Sequence, residues 1–132
     1  MPYASDIHGT AFKNGSAVLM ARIVDSDGEN VLQAGISSIE YSIYELDLCR
    51  PDNLSIVAGH DGVSLSVDDV IFDVLQTGGL WTVDEEGFNF RHEIDVSESE
   101  AFPKAGVQYQ VRYELLPTAG QKTIVRFQLR VI

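Results

Sequence analysis

Two runs of alternating side chains near the C-terminus constrain this chain more than any other feature. From Val107 to Leu115 every second residue is apolar: Val107, Tyr109, Val111, Tyr113 and Leu115. Thr123, Val125, Phe127, Leu129 and Val131 repeat the spacing. Successive side chains point to opposite faces of a strand, so each run presents one oily face and one wet face. Pro117 and Gly120 lie between the runs and mark a tight connection. The chain therefore ends on a two-stranded ribbon whose apolar side needs a second layer to cover it.

Parity limits how the two strands pair. A three-residue loop, Thr118 to Gly120, sets Leu115 opposite Thr123 and Tyr109 opposite Leu129, with Gly120 at the left-handed position such loops need. It also sets Arg112 against Arg126, a like-charge pair on the outer face. A shift of two residues pairs Glu114 with Lys122 and keeps the same inner face. A shift of one turns the whole apolar set toward water and is excluded.

Upstream, the apolar run Ala17–Val24 fits a strand and the Asp25-Ser-Asp-Gly-Glu-Asn stretch a turn. Ile39, Tyr41 and Ile43 alternate with polar neighbours and predict a strand over 38–46. A short strand is expected at Leu54–Val57, inside a long loop over 47–62, and Val63, Leu65 and Val67 alternate again. The period then changes. Ser66 and Asp68 offer N-cap oxygens, Val70, Ile71, Val74 and Leu75 share a helical face, and Gly78-Gly79 follows. This predicts one short helix over 68–76, although β-branched Val70-Ile71-Phe72 suits a strand equally well. Phe88, Phe90, His92 and Ile94 share one face of a further strand. Residues 1–15 show no period and are expected to form a flexible arm or an edge addition, with residues 16–132 as a single domain.

The 132 residues carry a net charge of −11, which argues against nucleic acid or an anionic membrane as partner. The charge is segregated. Residues 106–132 hold four basic side chains and one acidic, the remaining residues five and nineteen. Cys49 is the only cysteine, so no intrachain disulfide forms. The N-terminal residues have neither a basic nor an apolar signal region, and no apolar stretch reaches the roughly 20 residues of a membrane span. These features predict synthesis and folding in a cytoplasm, with release only inside an assembly or by lysis.

Phe102-Pro-Lys-Ala-Gly-Val-Gln-Tyr-Gln-Val-Arg-Tyr resembles the start of the penultimate strand of immunoglobulin-like and fibronectin-type sandwiches. In those folds a Gly precedes a Tyr whose hydroxyl ties the corner to the sheet; Gly106 and Tyr109 match, one residue further apart than is commonest. The resemblance covers the last 30 or so residues well and the rest by strand count. Trp81 is a candidate core tryptophan, and the cysteine pair of antibody domains is missing. A small acidic sandwich with these strands is also similar to accessory proteins of phage tails and baseplates.

Candidate sites are sparse. Asp25, Asp27 and Glu29 offer oxygen ligands to a weak Ca²⁺ site, though without EF-hand spacing, and a solvated turn explains them as well. The acidic loop 84–87 and Asp68-Asp69 read the same way. His8, His60 and His92 lack ligand spacing; His92, on an apolar face, is expected to be buried and hydrogen-bonded. Gly59-His-Asp-Gly reads as a turn, and Cys49, beside Arg50, as an inert thiol. No nucleophile–base signature points to an enzyme. Arg112, Arg126 and Arg130 project from the outer face of the last ribbon with Ile124 and Leu116, and Lys122 at its tip. They are expected either to pair with Glu93 and Asp95 on a neighbouring strand or to dock an acidic surface of another subunit.

Together these features predict an all-β, antiparallel, immunoglobulin-like sandwich of about seven or eight strands with one short helix. Its expected role is that of a non-enzymatic structural or interaction module without a cofactor. It would act as a homo-oligomer or a component of a larger, tail-like assembly, with contacts through Arg112, Ile124, Arg126, Arg130 and the N-terminal arm. The competing expectation is a glycan- or calcium-binding sandwich using the loops at 25–30 and 84–87.

Overall fold

A computed structural model describes residues 7–23, 31–46, 49–50, 54–76, 88–97, 99–118 and 122–132. In chain order these form β1 (Ile7–Ala11), β2 (Val18–Ala21), a 3-10 turn (Gln33–Gly35), β3 (Ile36–Leu46), β4 (Leu54–Ile56) and β5 (Val63–Leu65). A single helical turn α1 (Val67–Val70) leads to β6 (Ile71–Gln76), β7 (Phe88–Glu93), β8 (Gln108–Pro117) and β9 (Thr123–Val131). Six strands build one sheet in the order β1-β9-β8-β3-β4, with β5 also paired to β3; β2, β7 and β6 build the other. The chain is thus an all-β sandwich, as the alternating runs require. No helix among the described residues is long and apolar enough to cross a membrane.

The closing ribbon pairs as the three-residue loop demands: Leu115 faces Thr123, Tyr109 faces Leu129 and Arg112 faces Arg126. The register shifted by two residues does not occur. Its attraction survives nonetheless, because Lys122 reaches diagonally to Glu114 at 3.5 Å.

Two expectations need correction. The helix expected over 68–76 is one turn, Val67–Val70, and the chain is extended from Ile71, which pairs with Phe90. Val70 and Ile71 are both buried. Neighbouring residues on one strand point to opposite faces, so the change of backbone conformation between them is what lets both point inward. The β-branched run then favours the strand. The sandwich is also not wholly antiparallel: residues 7–11, part of the segment expected to be a flexible arm or an edge addition, form edge strand β1, which runs parallel to β9. Strand β9 would otherwise leave a row of backbone donors and acceptors open, and β1 satisfies them. Gly9 permits the close approach, since a Cβ there would lie 3.1 Å from Cδ2 of Leu129.

The core lies between the sheets. Tyr109, Val111, Tyr113 and Leu115 have no exposed surface, and Phe127, Leu129, Val131, Ile39 and Ile43 join them from the same side. Leu19, Ala21, Phe90 and Ile94 close it from the other, with Phe90 edge-on to Tyr113 at 4.8 Å. At the start of β8, Gly106 takes φ +81 and the backbone N–H of Lys104 donates to the Tyr109 hydroxyl at 3.1 Å. Phe102 packs edge-on against the Tyr109 ring at 5.5 Å. The Tyr109 hydroxyl thus ties the preceding corner to the sheet. Trp81 lies outside the described residues.

Candidate functional site

Alternation buries one face of the six-stranded sheet and leaves the other outside. That outer face is ordered in rows across the strands. Ser42, Arg112 and Arg126 lie side by side on β3, β8 and β9, and the next row is Glu40, Glu114 and Ile124. On the other side of the arginine row come Tyr44, Gln110 and Gln128, followed by Leu46, Gln108, Arg130 and Thr10. Like charges directly opposite each other destabilise a sheet, but here the arginine row abuts a glutamate row, so opposite charges meet on the diagonals.

Arg112 is fixed within this face. Its Nε and Nη2 donate to Oε1 of Gln110 at 3.1 and 2.7 Å, and its guanidinium lies 5.0 Å from the Tyr44 ring centroid. Ile124 and Leu116 remain nearly half exposed (46% and 45%), and Arg130 is exposed. A shallow groove of about 360 Å³ runs along the β1–β9–β8 end, lined by Gly9, Thr10, Gln108, Gln128 and Arg130. All four residues expected at an interface, Arg112, Ile124, Arg126 and Arg130, therefore share one outer face. Glu93 and Asp95 do not flank it. They sit on and just after β7, in the opposite sheet, whereas the neighbours of β9 are β1 and β8.

A second polar group lies inside the molecule. His60 (2% exposed) occupies the turn between β4 and β5, where its carbonyl accepts from Ile43 N–H at 2.9 Å. Its Nε2 is 2.9 Å from the Ser99 carbonyl and its Nδ1 is 2.8 Å from the Tyr41 hydroxyl. A carbonyl only accepts, so Nε2 carries a proton and donates to it. His92 (9% exposed) is buried and hydrogen-bonded as expected, its Nδ1 2.7 Å from the Tyr113 hydroxyl. The Tyr41 ring lies between the two histidines, 5.9 Å from His60 and 5.0 Å from His92. Burial, and secondarily the charge of His60, pushes His92 down to about 4, and burial drives Tyr113 well above the ordinary tyrosine range. The group ties both sheets and the loop at Ser99 together, with both ring nitrogens of His60, Nδ1 of His92 and the two tyrosine hydroxyls engaged with one another or with backbone.

Two of these roles were hidden in the sequence. Glycines on both sides of His60 signal a turn and say nothing of its burial. Tyr41 gave a fainter clue: a phenol alternating with Ile39 and Ile43 on an inner face needs a buried hydrogen-bond partner. Asn89, which alternation places on the wet side of β7, is fully buried and pairs through Oδ1 and Nδ2 with the backbone N–H and carbonyl of Ile23 at 2.7 and 2.8 Å.

Asp25, Asp27, Glu29 and residues 84–87 lie outside the described residues. Among the described residues no three His, Cys, Asp or Glu side chains gather closely enough to hold a metal ion. Cys49 is exposed. Comparison with protein-family models, curated proteins and solved structures finds no match to this chain.

Proposed function

We propose that this chain is a non-enzymatic structural module that associates with further copies of itself through the outer face of its six-stranded sheet, as a component of a larger assembly. One observation carries the reading. A chain of net charge −11 places Arg112, Arg126 and Arg130 together on the ribbon β8–β9, beside the exposed Ile124 and Leu116. Arginine and apolar side chains in contact are the composition of interface cores, whereas a face built only for solubility in an acidic protein would carry carboxylates. An acidic surface is its natural partner, and the rest of this chain supplies one. The Tyr109 corner supports the immunoglobulin-like reading of the sandwich; the tail-like setting rests on the likeness of small acidic sandwiches to tail and baseplate proteins.

Size exclusion with light scattering tests the reading. The native chain should show a mass that rises with concentration, and Arg126→Glu/Arg130→Glu should remain monomeric with an unchanged thermal midpoint. A variant that assembles like the native chain would remove this face from consideration.

A further inference from the structure

The charges on the six-stranded sheet are sorted from one lateral side to the other. Strands β1 and β9 contain no acidic residue, and Arg126, Arg130 and the exposed Lys13 all lie on that side. Strand β8 is mixed, with Arg112 and Glu114. Strand β3 has Glu40 and Glu45; Lys104 pairs with Glu45 at 3.3 Å and exposed Arg50 lies on the connection to β4, so the acidic excess of this side comes from the residues beyond β3. There, residues 54–70 carry Asp61, Asp68 and Asp69, all exposed, with no Lys or Arg. The bond from His60 to the Ser99 carbonyl brings the loop bearing exposed Asp95 and Glu100 to the same side.

We infer that copies of this chain associate head to tail, the basic β1–β9 side of one copy docking on the acidic β4–β5 side of the next. The inference rests on the self-association proposed above and specifies its geometry. Two copies, each at −11, repel at long range unless they approach with opposite charges foremost, and among the described residues the lateral sides provide that orientation. A twofold contact centred on β1 and β9 would instead set Arg126 and Arg130 against themselves. Such self-opposition suppresses an isologous pairing, and a heterologous contact continues into a ring or a filament.

Two charge-reversed variants test this by sedimentation velocity. The first is Arg126→Glu/Arg130→Glu; the second is Asp61→Lys/Asp68→Lys, which lowers the net charge from −11 to −7 because each reversal adds two positive charges. Each variant alone should sediment as a monomer where the native chain associates. Mixed in equal amounts, they should associate again, since the native acidic side of the first meets the native basic side of the second and the reversed sides meet each other. If general repulsion governed association, the second variant would associate more strongly than the native chain. Association of the second variant alone, or a mixture that stays monomeric, overturns the head-to-tail contact while self-association stands. A native chain that is monomeric at every concentration removes both. Should a double variant unfold, the single changes Arg130→Glu and Asp61→Lys carry the same comparison.

Discussion

His92 sits where a proton is unwelcome: buried, bonded through Nδ1 to a tyrosine hydroxyl, and facing Tyr41, Tyr113 and His60. Its affinity for a proton is held down to about 4, against 6.5 for the ordinary side chain. As pH falls through 6.5 the unfolded chain takes up this proton and the folded chain does not. Stability from this group is therefore complete above pH 6.5, declines toward pH 4 and levels off below it. The full loss is about 3 kcal/mol. Urea unfolding at a series of pH values should show that decline, and His92→Gln, which keeps a polar partner for Tyr113, should flatten it by a comparable amount. An unchanged slope in the variant would mean that His92 is not the group responsible. The sequence revealed the burial of His92, because it alternates with Phe90 and Ile94. It did not reveal Tyr113 as its partner, since that contact joins strands 21 residues apart and on different sheets.

Strand periodicity was legible wherever one face is buried. Strands β3, β8 and β9 each carry a clean period of two, and parity left only two registers for the closing ribbon. The choice between those was settled by the loop rather than by charge, since Arg112 faces Arg126 while Lys122 still reaches Glu114. Periodicity failed at Val70-Ile71, where a turn of helix runs straight into a strand, and two adjacent inward residues mimic a helical face. It also failed at β1, too short and too polar to show any pattern, whose order comes from the open flank of β9. At the corner before β8, the Lys104 N–H donates to the Tyr109 hydroxyl, beside the bond from Gly106 N–H to the Val131 carbonyl. Tyr109→Phe keeps the ring against Phe102 and removes the acceptor, so it should lower unfolding stability by about 1 kcal/mol. An unaltered urea midpoint would show that the Tyr109 hydroxyl does not hold the corner.

Across the whole molecule, one sheet presents two chemically distinct faces. The inner face fastens to β7 where Tyr113 and Phe127 pack on Phe90 and where Tyr113 bonds His92. The outer face carries the arginines, glutamines and exposed aliphatic side chains of the proposed contact. Of the proposed contact face, the four residues Arg112, Ile124, Arg126 and Arg130 follow from alternation alone. The acidic side opposite them did not, because it is assembled by the pairing of β5 with β3 and by the His60–Ser99 bond, neither of which local sequence encodes. The most direct measurement is an amide chemical-shift series on the native chain, diluted from millimolar to micromolar concentration. Resonances at Arg112, Ile124, Arg126 and Arg130 should move together with concentration while those of Met20, Arg22 and Arg91 on the opposite sheet stay fixed. Shifts confined to β2 and β7, or none at any concentration, would contradict the account.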